Sequence, residues 1–400
     1  MLVERHFIKG TEEIRRLCGL SKDLYNRCNY LMRQAWFQHE RLPGIVELVA
    51  SVEHEECYLS LHNTKTAKQT IRKVLVDWTN YKKALATYQR DSSKFIKRPK
   101  PPGYKEKMAQ VIFYPETIRR KPLKKGIVTP TNDCFTIKSS RVFRQVVITP
   151  KTFGFVIDVS YDSPVSEKHE LDKKHVCCID IGLNNLAAIT SDQHCPILIN
   201  GRIVKGINQW YNKRPDSARR SRKRYFRLEN YFHHASKWIV QNCLANDIGT
   251  IVIGRNEGWK NGIECGRKTN QAFCMVPHYL FLQKLKYKAE AVGIDVILTE
   301  EAYTSKASYL DRDPIPSYQK GVEEPVRSGQ RVKRGLYRSA SGVMLNADCN
   351  GACNIGRKVI RNEEILLRLD RGLAERPVVV NPLRTPTDDG RGWVTTQTGK

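Results

Sequence analysis

Two aspartates in this sequence sit where ordinary surface chemistry does not account for them easily. Asp180 lies in the run Val176-Cys177-Cys178-Ile179-Asp180-Ile181-Gly182-Leu183-Asn184-Asn185. A carboxylate inside an otherwise apolar strand is costly to bury unless it is paired, hydrogen-bonded or bound to a metal. Asp348 lies in Asn346-Ala347-Asp348-Cys349-Asn350-Gly351-Ala352-Cys353-Asn354-Ile355. Each also has a plain structural reading, Asp180 as a turn residue and Asp348 as a helix N-cap. The pair says more than either alone. Small residues at Ala347, Gly351 and Ala352 let a helix pack closely on a sheet, which would carry Asp348 to the strand of Asp180. Two aspartates and a glutamate would suit two-metal phosphodiester hydrolysis. Hard carboxylate oxygens hold Mg2+, and two ions about 4 Å apart activate the attacking water and stabilise the leaving oxygen. A third carboxylate is therefore required.

The elements that must position these acids read as an α/β core. Residues 176–181 form a buried strand and 184–190 a second, with Gly182 and Asn184-Asn185 supplying the turn between them. A basic helix over 217–240, a strand at 250–253, a helix near 277–292 and a strand at 294–298 follow, and a last helix begins near Asp348. Strands alternating with helices after an opening hairpin predict a core of RNase H-like type. Upstream, residues 2–8 form a strand. Leu20, Leu24, Cys28, Leu31 and Ala35 then recur at helical spacing, with Ser21 as the candidate N-cap. Residues 64–88 predict another helix, with Val74, Leu75, Trp78, Tyr81 and Leu85 on its apolar side. Short strands at 135–137, 145–148 and 153–159, separated by turn residues, predict a small β-domain joined by the first strand.

Charge points to the partner. The chain has 400 residues with 68 Lys+Arg against 41 Asp+Glu, a formal charge of +27. Such an excess fits a polyanion, though solubility alone is the plainer account. Residues 65–125 hold 18 Lys+Arg and 4 Asp+Glu. Within them Lys97, Arg98, Lys100 and Lys105 flank a proline-stiffened stretch, and Tyr104 could stack on a base. A charged linker would look similar. Arg219, Arg222, Lys223 and Arg224 on the 217–240 helix are candidate phosphate contacts, or else a solvated face. No apolar run reaches the roughly 20 residues of a membrane span, and residues 1–6 lack signal-peptide character. A prokaryotic cytosolic or nucleoid protein without a membrane partner is expected. The twelve cysteines then read as buried thiols or metal ligands before disulfides, and no CxxC pair occurs.

At this point the sequence resembles a family. Ser21-Lys22-Asp23-Leu24-Tyr25-Asn26 with Asn29-Tyr30 and Arg33-Gln34 is similar to the N-terminal helix of TnpB proteins, transposon-encoded relatives of compact type V CRISPR effectors. Arg98-Pro99-Lys100 with Tyr104-Lys105 resembles their basic proline segment. Ile179 to Asn185 resembles their first RuvC motif, and Tyr303-Thr304-Ser305-Lys306 with Asn346 to Ala352 resembles the motifs around the last. The likeness runs over about residues 1–360. It implies a multidomain α/β protein with a RuvC (RNase H-like) nuclease core and a small wedge-type β-barrel domain carrying an inserted helical recognition domain. The implied boundaries are 1–10 and 105–168 for the wedge, 11–104 for the helical domain, and 169–306 with 341–360 for the nuclease. Residues 307–340 would be a target-nucleic-acid-binding insertion, and 361–400 a partly disordered C-terminal extension. The resemblance also implies a guide RNA, double-stranded target DNA unwound to a heteroduplex beside a short flanking motif, and two Mg2+ or Mn2+ ions. It implies one protein per guide, or a dimer.

Two departures from that pattern matter. Many family members place the second RuvC glutamate at the end of the strand corresponding to 250–253. Here that position reads Ile253-Gly254-Arg255-Asn256, with no acid. Glu257 and Glu264 lie beyond it in loop-like sequence. Glu301, ending Val296-Ile297-Leu298-Thr299-Glu300-Glu301, is the better candidate for the catalytic and metal-binding set with Asp180 and Asp348. Glu300 should face the opposite way if the strand continues. The second departure is the missing zinc ribbon. No cysteine lies between Cys274 and Cys349, so no zinc is expected there. Lys306, Arg331, Lys333, Arg334 and Arg338 should contact nucleic acid from an insertion held by packing. Two other functions remain open: a guided DNA-binding repressor without cleavage, and a DNA transposase using the same carboxylate chemistry.

Overall fold

The computed structural model describes residues 2–61, 63–92, 95, 97–162, 168–213, 217–255, 275–317, 325–370 and 372–384. Glu257 and Glu264 lie outside the described residues. The chain divides into two compact units, Met1–Val165 and Ser166–Lys400, both of mixed α/β structure.

The N-terminal unit runs β1 (Leu2–Ile8), α1 (Glu12–Phe37), α2 (Ile45–Val52), α3 (Glu56–Leu59), α4 (Thr64–Arg90), β2 (Val111–Phe113), α5 (Arg120–Leu123), β3 (Ile127–Val128), β4 (Ile137–Lys138), β5 (Phe143–Lys151) and β6 (Gly154–Tyr161). β1 pairs antiparallel with β6, Leu2 opposite Tyr161 and Ile8 opposite Phe155. The sheet order is β1-β6-β5-β2. Among the described residues β1 and β2 are the edges of this sheet. α1 begins earlier than its apolar spacing suggested. The Thr11 hydroxyl accepts from the Ile14 amide at 3.3 Å and caps it, whereas Ser21 is buried in mid-helix and donates to the Gln110 carbonyl at 2.7 Å. Leu17, Leu24, Cys28 and Met32 of α1 pack with Val74, Trp78 and Tyr81 of α4 in one core. Each fully buried large side chain of this kind contributes about 1.5–3 kcal/mol.

The C-terminal unit runs β7 (Val176–Asp180), β8 (Asn185–Ser191), β9 (Ile197–Asn200), α6 (Arg202–Asn212), α7 (Ala218–Ala245), β10 (Thr250–Gly254), α8 (His278–Ala291), β11 (Asp295–Thr299), β12 (Gln330–Lys333), β13 (Leu336–Arg338), β14 (Met344–Asn346), α9 (Ala347–Val359), α10 (Glu363–Arg368) and β15 (Val378–Val380). Its six-stranded sheet has the order β11-β10-β7-β8-β9-β15. β7 and β8 form the opening hairpin. β10 then lies parallel to β7 and β11 parallel to β10. Alternation along β7 divides its side chains between two cores. Cys177 and Ile179 join the core that includes Trp238 of α7 and Phe281 of α8. Val176 and Cys178 join the one built with Cys349, Cys353 and Ile355 of α9. By the same alternation Asp180 faces α9. Sequence periodicity missed β9, α6 and β15. The last adds a parallel strand beside β9, so part of the expected C-terminal extension completes the core sheet. The described cysteines are free and mostly buried, and among the described residues no helix is long and apolar enough to cross a membrane.

Candidate functional site

Three parallel strands, β7, β10 and β11, bring Asp180, Gly254 and Thr299 to one end of the sheet. Ile253 is in register with Ile179, and Gly254 with Thr299. α9 crosses this end. A β-carbon at Gly351 would lie 2.8 Å from Asp180 Oδ2, so glycine is what lets the helix approach so closely. A β-carbon at Gly254 would lie 2.5 Å from Ile355 Cδ1 and 3.0 Å from Glu301 Oε2. The space a side chain from β10 would enter is taken by Ile355 and the Glu301 carboxylate.

Local structure after β11 delivers Glu301 there. The strand ends at Thr299, so the alternation expected to turn Glu300 to the opposite face no longer applies. Glu300 is instead bound by Lys358 of α9, on the same side as the pocket. The Thr304 hydroxyl donates to the Glu301 carbonyl at 2.8 Å, and Tyr303 takes a left-handed φ of 63°. This tight turn is fastened to α9. Asn354 Nδ2 donates to the carbonyls of Thr304 (3.0 Å) and Ala307 (2.7 Å), and Asn350 Nδ2 to Ala307 (2.7 Å). The Tyr303-Thr304-Ser305-Lys306 motif is thus a positioning turn, with Lys306 exposed.

Asp348 is not the N-cap. Asn346 caps α9, its Oδ1 accepting from the amides of Asp348 (3.0 Å) and Cys349 (3.1 Å). That leaves the Asp348 carboxylate in the helix's first turn, where Oδ2 accepts from Asn185 Nδ2 at 2.7 Å. Arg331 Nη2 lies 3.4 Å from Oδ1. Arg331, expected to meet phosphate, therefore reaches the carboxylate site itself. Burial pushes the Asp180 carboxyl up to about 8, with further upward pushes from Glu301 and Asp348, while Arg331 and the Ile181 amide oppose them. Burial and the neighbouring Glu300 raise Glu301 to about 7. The donors are hard oxygens short of positive charge, chemistry that suits a divalent cation. Among the described residues, however, no three His, Cys, Asp or Glu side chains form a group that could hold one ion as they stand.

The insertion between the turn and α9 is knotted by a second acid pair. Asp313 accepts from the amides of Ser308 (2.8 Å) and Ser328 (3.1 Å) and from the Ser328 hydroxyl (2.5 Å). Asp311 accepts from the Ser308 hydroxyl (2.5 Å) and the Ala340 amide (2.8 Å). The Tyr337 hydroxyl donates to the Lys306 carbonyl at 2.9 Å. These bonds join the ends of the insertion without cysteine. Nothing in the sequence marked Asp311 or Asp313, since an Asp near serines in a loop is ordinary.

The basic segments divide by what their charges already do. On the N-terminal unit, Asn26, Asn29 and Arg33 clamp the proline segment. Asn29 Nδ2 donates to Pro102 O (3.1 Å), Arg33 Nη1 to Pro102 O (2.9 Å) and Asn26 Nδ2 to Lys105 O (2.9 Å). Lys97, Arg98, Lys100 and Tyr104 are at least partly exposed. Lys105 is half-buried: its ammonium sits 3.5 Å from the centre of the Tyr25 ring, and burial lowers its pKa. On α7, Arg219, Arg222 and Lys223 are exposed, as is Arg334 of the insertion. Arg224 is turned inward, with Nε donating to Asn208 (2.8 Å) and Nη2 to the Met275 carbonyl (2.8 Å). It holds α7 to its neighbours, so its guanidinium is already engaged within the fold.

Residues 278–355 match the family model described as Cas12f1-like, TNB domain. That stretch contains Glu301, the knotted insertion, Asp348 and most of α9. Among solved structures, the chain is similar to the Cas12f1–sgRNA–target DNA complex at 13% identity and a TM-score of 0.33, covering 90% of this chain and 100% of that one. It is similar to a CRISPR-Cas12f ternary complex at 13% and 0.33, covering 88% and 82%. A third match is AacC2c1 with sgRNA and extended non-target DNA, at 11% and 0.32, covering 87% of this chain and 32% of that one. No curated protein matches.

Proposed function

We propose that this protein is an RNA-guided DNA endonuclease of the TnpB kind, cutting DNA with a RuvC-type carboxylate site. The observation that carries the reading is the gathering of Asp180, Glu301 and Asp348 at one end of a hairpin-led parallel sheet, with Asp180 raised by both other acids. Asp180, Glu301 and Asp348 would hold Mg2+ or Mn2+, which supplies charge neutralisation at the scissile phosphate and an activated water. Asn185 orients Asp348 through its 2.7 Å hydrogen bond, and Asn346 releases that carboxylate from capping duty. Gly351 and Gly254 keep side chains out of the space the acids share. The exposed cations of α7 and the proline segment would bind guide RNA and target DNA through their phosphates, fixing register without reading sequence. The insertion needs no zinc in this reading.

The guided-repressor alternative draws on one observation, that the acids do not form an ion-binding group as they stand. Purified protein decides between them. It should carry one discrete RNA species and cut a matched DNA target in Mg2+. Discrete RNA with target binding but no cutting makes it a repressor, and absence of RNA makes the transposase reading the better one.

A further inference from the structure

Two adjacent acids follow β11, and only one of them enters the carboxylate pocket. The Glu300 Oε1 atom is paired with Lys358 of α9, whose side chain is only 7% exposed. Lys358 Nζ also lies 3.3 Å from the Pro316 carbonyl. The pair borders a cavity of about 350 Å3 that Thr299, Ile315, Ser317, Arg357 and Arg361 also line. Arg357 beside it is spoken for, donating to the Asp313 carbonyl at 3.0 Å. Three residues before Lys358 on the same helix, Ile355 packs where a Gly254 side chain would go, and the Glu301 carboxylate lies beside it. One helix therefore holds Glu300 and shapes the place of Glu301.

We infer that Lys358 is a positioning residue that selects between the two glutamates. By holding Glu300 as its own counter-ion, it leaves Glu301 as the acid from this turn available to the pocket with Asp180 and Asp348. A nearly buried ammonium needs a close anion, and Glu300 supplies it. With Lys358 gone, the Glu300 carboxylate loses its ion-pair partner and competes with Glu301 for the cation site. This inference rests on the nuclease reading above and deepens it.

The test uses the full-length protein with its guide, scored by DNA cleavage and by Mn2+ binding followed with electron paramagnetic resonance. Lys358→Met should lower both the cleavage rate and Mn2+ affinity about tenfold, the usual scale for losing a residue that orients a metal ligand. Lys358→Arg should keep both. The decisive variant is Lys358→Met with Glu300→Gln, which should restore both to within about twofold of wild type, because a neutral amide no longer competes. A merely structural lysine would leave the double variant as impaired as the single one, and that result overturns the inference. So does a Lys358→Met protein that binds Mn2+ and cuts like wild type. Should Lys358→Met fail to fold, the double variant carries the test through its Mn2+ affinity. Wild-type affinity supports the inference, and a tenfold loss contradicts it. Asp180→Ala separates the two levels: if it still cuts, the nuclease reading fails, whereas inactivity there with an unaffected Lys358→Met sinks only the inference.

Discussion

Two groups of acids in the C-terminal unit have opposite fates. Asp313 is 3% exposed, yet its carboxyl is held below the usual range. Burial pushes it up, but hydrogen bonds from Ser328 and Ser308 and the nearby Arg327 outweigh that. Asp180 is partly buried too, and it rises to about 8 because burial is joined by repulsion from Glu301 and Asp348. The first acid is satisfied by the protein's own amides and hydroxyls. The second faces other acids. Burial alone does not distinguish a structural carboxylate from a ligand; the donors around it do. In this chain the acids enclosed by amides and hydroxyls fasten the insertion, and the acids that face one another are the candidate active site.

The largest effect should come from the mutually facing acids. Asp180→Ala, Asp348→Ala and Glu301→Gln should each remove detectable cleavage while leaving RNA and target binding nearly intact, since residues acting as a unit fail together. Glu300→Gln should still cut, since its side chain is not in the carboxylate set, but should melt at a lower temperature because the Lys358 ammonium loses its anion. A cutting assay in Mg2+ checks all four, and wild-type cleavage by any of the first three breaks the comparison at that residue.

The next effect concerns stability and has opposite signs at the two sites. Asp313→Asn loses charge-assisted hydrogen bonds, each worth about 1.5–3 kcal/mol, and should lower the melting temperature at neutral pH. Asp180→Asn should raise the melting temperature of the metal-free protein at pH 8. The sign follows from linkage. A carboxyl whose folded pKa is raised contributes stability that is complete below the ordinary carboxylate range. That contribution is lost as pH rises through about 8. The stability gap between Asp180→Asn and wild type should therefore widen from pH 5 to pH 8 and shrink when Mg2+ is added. Melting curves across that range test it, and a gap that stays flat with pH contradicts the account of Asp180.

The smallest effect separates exposed from inward-turned cations on α7. Removing Arg222 and Lys223 together should reduce the slope of log affinity against log salt by about two, one per phosphate contact. Arg224→Ala should leave that slope unchanged and destabilise the fold instead, because its guanidinium already binds Asn208 and Met275. Equal slopes for the two variants would put Arg224 back among the phosphate contacts.

How much of this was legible beforehand differs by residue. Asp180 and Asp348 stood out because each is an acid among apolar or small neighbours, and period-two alternation predicts that Asp180 shares a face with Val176 and Cys178. Glu301 was reachable only through the family resemblance, which puts an acid at the end of the strand where this chain has Gly254. The Lys358–Glu300 pair was not legible, since a lysine ten residues beyond Asp348 in a helix has no sequence mark until the fold sets it against a strand end. The facing of Glu300 was misjudged because alternation was carried past the strand's last paired position, Thr299. The cap of α1 is Thr11, ten residues before the expected Ser21, and the plain reading of Asp348 as a cap gives way to Asn346. Ser21 lies in mid-helix and is committed to the Gln110 carbonyl, while Asn346 caps α9 through local bonds to the amides of Asp348 and Cys349. β15 lies far along the chain and pairs only through a long-range parallel contact, which local pattern does not encode.

The central claim is that Asp180, Glu301 and Asp348 act as one cation-binding set, although without a cation their carboxylates do not converge on a single ion position. Crystals grown without metal and soaked in Mn2+, with anomalous diffraction collected at the manganese edge, test this most directly. The account predicts anomalous density bounded by the carboxylates of Asp180, Glu301 and Asp348, with Glu300 still on Lys358 and Arg331 displaced from Asp348. Manganese held without Glu301, or no manganese at Asp180 at saturating concentration, would contradict it.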